Sequence, residues 1–342
     1  MKKKVLLVPL ALLLAVGLVV AACAPTPTPT PTPEKPEITS IQIFAGRPGD
    51  HWTVLTEALV FFINADSEWL TASCVATGGV ADSIKILFEE PEKRDSRVAL
   101  CRATDEVPRY RNETDLKPLY ICSQALMPIL WVTFNPDIKS IEDFAGKAVG
   151  LPRTVPGYWD VFEQCLIDAG VRDTIKDPHG GFSANKAALM DGTVEVGQTT
   201  FNYMGPDKMG PDSNIQEMMA RRELYPIDYT KERIERVAEV LGFPPLWLEV
   251  PAGSLPNQPE PIYVVAFDFE WYATADVSDE IAYEVARIAY AHASEGDFVK
   301  YHPMGEGLTG DSIWQSVWLG TEDTEDWYHP GALKFYKEIG LL

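Results

Sequence analysis

Apolar residues between Ile41 and Ala103 switch between two spacings. IQIFAG, WLTASCVAT and SRVALCRAT carry the β-branched and aromatic runs of strands. Between the first two, Trp52, Leu55, Leu59, Phe62 and Ile63 recur at helical spacing, and residues 80–88 form a shorter helical stretch. Strand, helix, strand, helix, strand in this order predicts a parallel sheet with helices on its faces. Ligands of such sheets bind beyond the C-terminal strand ends. Here those ends carry Gly46-Arg47, Thr77–Gly79 and Arg102-Ala103.

LMPILWVTF, residues 126–134, is a long apolar strand that opens a second unit. Ser140 to Asp143 form a capping box and Gly146 closes that one-turn helix. KAVGLP reads as a strand and residues 153–157 as a loop. Residues 158–169 read as a helix with Trp159, Phe162 and Leu166 on one face, stopped at Gly170. A helix over 185–190 and the strand VEVGQTTF follow, and Thr230 caps a helix that Gly242 ends. PIYVVAFDF, residues 261–269, is a second long apolar strand, followed by a helix striped with Ile281, Val285, Ile288 and Ala289. Pro330 starts the last helix. The pattern predicts an α/β fold of two lobes, each a mainly parallel sheet flanked by helices. The two long strands are the candidate hinge connections, with the ligand cleft between the lobes.

The N-terminus does not fit that pattern. Lys2-Lys3-Lys4 precedes an apolar run from Val5 to Ala22, as in a secretory signal. A transmembrane helix is the alternative, but the run contains Pro9 and Gly17 and barely reaches the roughly 18 residues required. Val20-Ala21-Ala22-Cys23 resembles a bacterial lipobox, which implies cleavage before Cys23 and its lipidation. APTPTPTPTPEKP, residues 24–36, favours polyproline II. At about 3.1 Å per residue it is a tether on the order of 40 Å long.

A formal net charge of -21, with 50 acidic and 29 scattered basic residues, leaves no basic face for nucleic acid. The remaining cysteines, Cys74, Cys101, Cys122 and Cys165, form no CxxC pair. An exported chain permits disulfides. Cys74 and Cys101 end neighbouring strand-like runs, so a bridge between them and buried free thiols are both open.

HExxH, GxSxG, Walker A and GxGxxG are all absent. Asp268 and Glu270 flank Phe269 on one strand face; they read as a solvated strand end or, less simply, as the acid pair of a surface hydrolase. Thr77-Gly78-Gly79 lacks the Lys-Ser/Thr of a phosphate loop but suits a smaller anion at a helix start. The second unit offers a match: Arg153 as a two-pronged carboxylate grip, the Thr154 hydroxyl, Gly157, and Tyr158 and Trp159 as flat walls. Trp159 also reads as core. Gly46, Arg47 and Trp52 extend the first half, and Thr199, Thr200 and Asn202 of GQTTFNY add a polar strand end.

Four separated segments resemble solute-binding proteins of TRAP transporters of the TAXI type. They are TGGVADSIKIL, KSIEDFAGKAVGLP, VPAGSLPNQPEPIYVVAF and YHPGALKFYKEIGLL. The last two are similar to that family's IPAGxYPGQ and HPGAxxYYxExGL segments. The resemblance implies a two-lobed periplasmic-binding-protein fold and a monomer that hands small carboxylates to a membrane permease without catalysis, cofactor or metal. Departures fall in the loops. Gly49-Asp50-His51-Trp52-Thr53 stands for Gly-Gly-Thr-Tyr-Tyr, Val155-Pro156-Gly157 for Gly-Ser-Gly, and Val80 and Ser83 follow Thr-Gly-Gly. A bulkier or more aromatic ligand is the corresponding expectation.

The organisation expected is a leader over 1–22, lipidated Cys23 and tether over 23–40, lobe 1 over 41–130 and 266–342, and lobe 2 over 131–265. The function expected is an extracytoplasmic, lipid-anchored solute-binding protein for a small organic anion, carboxylate or amino-acid-like, serving a TRAP-type permease. A binding protein for an ABC importer or a sensor is the alternative.

Overall fold

The computed structural model describes residues 38–113, 115–152, 157–205, 208–243, 247–317, 319 and 324–342. The leader, Cys23, the tether, Arg153 and Thr154 lie outside the described residues. Residues Ile38–Leu342 form one compact unit.

The first repeat folds as its pattern predicts. Strand β1 (Thr39–Phe44) pairs in parallel with β2 (Leu70–Val75) on one side and β3 (Arg97–Arg102) on the other. Helix α1 (His51–Asp66) buries Trp52, Leu55, Leu59, Phe62 and Ile63 on the predicted stripe. Helix α2 (Val80–Ile86) follows β2, and α3 (Glu106–Glu113) follows β3. Because β1 lies between β2 and β3, Cys74 and Cys101 stand two strand spacings apart. That is roughly 9–10 Å, beyond the roughly 7 Å reach of a disulfide. Cys74, Cys101, Cys122 and Cys165 are all free thiols.

The long strands run as an antiparallel pair, β4 (Leu119–Thr133) against β9 (Ile262–Ala273). β4 starts at Leu119 rather than Leu126, because the polar Ser123 and Gln124 interrupt the apolar run without ending the pairing. Two register shifts accommodate them, between Tyr120 and Cys122 and between Ser123 and Ala125. Among the described residues the sheet runs β2-β1-β3-β9-β4-β5-β6, with β5 at Val196–Tyr203 and β6 at Met209–Pro211. β7 (Tyr225–Ile227) joins β4 and β8 (Trp247–Val250) joins β9. The parallel expectation thus holds from β1 to β3, and the long strands pair antiparallel with their neighbours. KAVGLP makes only single parallel bridges, such as Val149 to Val196 and Leu151 to His179.

Helix α4 (Tyr158–Asp168) buries Tyr158, Val161, Phe162, Cys165 and Leu166, a face one residue round from the expected one, so Trp159 is only half-buried. α5 (Phe182–Asp191), α6 (Ser213–Met219) and α7 (Lys231–Leu241) complete the second unit. The C-terminal third holds α8 (Asp279–Glu295), the turn α9 (Thr324–Trp327) and α10 (Pro330–Glu338). His329 caps α10, its Nδ1 accepting from Gly331 N at 3.3 Å. A side chain on Gly331 would strike the Asp279 backbone at the start of α8. The HPGA segment is therefore a close helix-packing device. One large core cluster spans both units, and a second is confined to residues 130–264.

Candidate ligand-binding site

Two strand ends form a rim. The Thr77 hydroxyl donates to Ala45 O at 2.5 Å and lies 3.0 Å from Ser83 Oγ, which itself bonds Ala45 O at 2.5 Å. Gly79 N donates to Thr77 Oγ1 at 3.2 Å, and Thr77 N to Gly46 O at 3.0 Å. Thr77 and Ser83 therefore tie the ends of β1 and β2 together and do not present their hydroxyls to a ligand. Arg47 is exposed and donates through Nε to Gly78 O at 2.8 Å. Among the described residues no carboxylate pairs with its guanidinium. Gly79, at φ 150, opens α2 in a backbone conformation side chains rarely adopt.

Below the rim the polar groups are buried. At the end of β3, Arg102 forks onto Asp105, with Nε to Oδ1 at 2.9 Å and Nη2 to Oδ2 at 2.8 Å. It also pairs with Glu106 at 2.7 Å and lies 5.2 Å over the Tyr158 ring. Burial pushes Glu106 up to about 7 despite the Arg102 charge. Burial would lower Arg102, but Asp105 and Glu106 outweigh it and hold the guanidinium firmly charged. Asp105 packs on Gly157, where a Cβ would come within 2.9 Å of the Asp105 Cβ at φ 83. The β3 end thus clamps the start of α4.

The two faces of β9 divide the remaining groups. Phe269 stacks on Trp52 with centroids 4.1 Å apart, and Trp271 Nε1 donates to Thr56 Oγ1 at 3.3 Å. Gln124, at the irregularity in β4, reaches the same helix, donating to Trp52 O and Thr56 Oγ1 at 3.0 Å. On the opposite face stand Asp268 and Glu270, 4 % and 0 % exposed. The shared face matches the alternation; the solvated strand end does not, because the segment around Ser316 covers them. Glu270 accepts from Tyr272, from Ser316 Oγ at 3.0 Å and from Val317 N at 3.0 Å. Burial pushes Glu270 up to about 7. Burial and then Glu270 drive Asp268 well above the usual carboxylate range. Besides Asp268, the titratable groups that sense Glu270 are Tyr272, Tyr120, Cys122, Cys101, Tyr328 and Tyr336, none of them basic.

A cavity of about 240 Å3 opens beside this pair, lined by Ser123 and Leu126 of β4, Asp268 of β9, Tyr203 at the end of β5, and Met304 and Gln315 among others. Among the described residues no group of His, Cys, Asp and Glu could hold a metal ion.

The model of the NMT1-like family matches residues 101–340. The chain belongs to the NMT1-like family. Among solved structures, it is similar to the periplasmic sulfonate-binding protein SsuA of a putative sulfonate ABC transporter from Methylobacillus flagellatus KT. The TM-score is 0.50 at 11% identity, over 90% of this chain and 96% of that one. A structure described as a periplasmic transporter gives a TM-score of 0.50 at 13% identity, over 88% of this chain and 97% of that one. These likenesses carry the fold: this NMT1-like chain is α/β with the two-lobed architecture of periplasmic binding proteins.

The fold brings Gly46, Arg47, Thr77, Gly78 and Gly79 together, with Arg47 and Gly78 exposed. Trp52 and Tyr158 are 7 % and 9 % exposed and serve as walls of the core, since Trp52 stacks on Phe269 and Tyr158 packs on Phe162 and Phe267. Thr199 is fully buried with its hydroxyl unpartnered, Thr200 donates to Pro128 O at 2.8 Å, and half-buried Asn202 pairs with Gly210 in the β5–β6 hairpin. Sequence reasoning missed the segment 304–317, whose turns carry no periodicity. It read Asp268 and Glu270 as a solvated strand end, with a hydrolase pair as the lesser alternative, and missed the cavity beside them.

Proposed function

We propose that this protein is an extracytoplasmic solute-binding protein, anchored by lipid on Cys23, that captures a small amino-acid-like or carboxylate solute for a membrane transporter. The observation that carries the reading is the cavity of about 240 Å3 against the paired long strands, in an NMT1-like chain of periplasmic-binding-protein fold. The lobes are read at 41–130 with 266–342 and at 131–265, with the long strands β4 and β9 as the crossings. Exposed Arg47 beside the start of α2 supports an acidic end on the solute. No catalytic step belongs to this reading; Glu270 is occupied by structural donors.

An ABC importer is the better supported partner, because the SsuA relative is described as part of one. A TRAP-type permease of the TAXI kind is the second reading, favoured by the PAGSLPNQ and HPGA segments. An adjacent gene for an ATPase subunit supports the first, and a fused multi-span permease the second. The test of binding itself is a thermal-shift screen of carboxylates and amino acids, since a solute that binds the folded state raises the melting point by mass action. No shift with any of them contradicts the proposal.

A further inference from the structure

The cavity and the rim offer opposite chemistry. Among the described residues lining the cavity none is Lys or Arg. Several of its polar side chains are committed elsewhere: Ser123 Oγ donates to Gln315 O at 2.7 Å, Ser312 Oγ to Gly307 O at 2.8 Å, and Gln315 Nε2 to Asp311 O at 2.6 Å. Asp268 differs. It lines the cavity, is 4 % exposed and shares a side-chain hydrogen bond with Glu270, while its buried Oδ1, like Gln124 Oε1 on the same lining, has no hydrogen-bond partner. An unpartnered buried acceptor costs free energy unless something completes it. Glu270 next to it adds negative potential on the same strand face. With a proton shared between Asp268 and Glu270, the free Oδ1 remains an acceptor, and an N–H donor bearing positive charge completes it beside the remaining negative charge of the pair.

We propose that this cavity is an amine subsite, in which an ammonium group of the bound solute donates to Asp268 Oδ1. The inference rests on the solute-binding reading and narrows it. The solute is then an amine-bearing one of amino-acid size and not a plain carboxylate. The volume agrees, because about 240 Å3 falls below the roughly 300–1,000 Å3 of pockets for drug-sized ligands. It assigns Asp268 a specificity role and explains why its Oδ1 is left without a partner in the interior.

The test is thermal shift and calorimetry on the purified full-length protein with matched pairs: glutamate and glutarate, alanine and propionate, 4-aminobutyrate and butyrate. At least one amine-bearing member binds about tenfold or more tightly than its amine-free partner. Asp268→Asn removes that preference, and without solute it melts at or above the parent temperature. If the variant does not fold, the parent's preference alone decides. Equal binding within the pairs, or a preference that survives in Asp268→Asn, overturns the amine subsite and leaves the solute-binding reading intact. Absence of any shift across all six compounds contradicts the solute-binding reading itself.

Discussion

The rim around Arg47 and the floor around Arg102 and Asp268 use similar residue types to different ends. At the rim Arg47 is exposed, and hydroxyls such as Thr77 Oγ1 and Ser83 Oγ bond strand-end carbonyls. In the floor Arg102, Asp105 and Glu106 are almost fully buried and ion-paired with one another, while Asp268 faces only another acid, Glu270, and keeps one oxygen without a partner. Exposed charge contributes little to stability and is available to a solute. Buried charge is costly to disturb, and it is available only where a partner is missing. The ion-paired cluster therefore reads as scaffold, and the acid without a cation as recognition.

That contrast ranks four perturbations. Arg102→Ala leaves Asp105 and Glu106 buried without their cation and lowers unfolding free energy by about 3–5 kcal/mol in urea titration. A loss under about 1 kcal/mol would show that the cluster is hydrated and belongs with the rim. Gly157→Ala costs about 2 kcal/mol, from a strained φ and a Cβ pressed on Asp105. A normal urea midpoint would mean that the clamp between β3 and α4 yields freely.

Asp268→Asn sharpens the comparison through pH. The folded state holds the Asp268 proton well above the ordinary carboxylate range, whereas the unfolded chain releases it near 3.8. The folded state then binds more protons, so this group's contribution to stability falls as pH rises above that value. The variant lacks the penalty. Its urea midpoint matches the parent at low pH and exceeds it increasingly toward neutral and alkaline pH. A constant difference would mean that Asp268 ionises normally. The smallest stability effect is at Arg47→Ala, within about 0.5 kcal/mol. Its consequence lies instead in weaker binding of acidic solutes.

The framework was legible where one local rule decided it. The α1 stripe is set by helical spacing, the Ser140 box by its Asp143 partner, and the α7 end by Gly242 at φ 69. The rim was legible too, because Gly46 and Gly78-Gly79 follow strands directly. The floor was not. What buries Asp268 and Glu270 includes Ser316 and Val317, 46 and 47 residues beyond Glu270 on a segment of turns. Alternation placed the two acids on one face but is silent on what covers that face. Short β6, β7 and β8, of three or four residues, exist through pairing with longer strands and leave no period of their own.

The central claim is that Asp268 in the floor reads the amine of the solute and that Arg47 does not. It is tested most directly by calorimetric affinities of Arg47→Ala and Asp268→Asn for the tightest amine-bearing acid of the matched pairs and for its amine-free analogue. The account predicts that Arg47→Ala weakens both compounds by a similar factor, while Asp268→Asn weakens only the amine-bearing one. Equal weakening of both compounds by Asp268→Asn, or discrimination between them by Arg47→Ala, would contradict it.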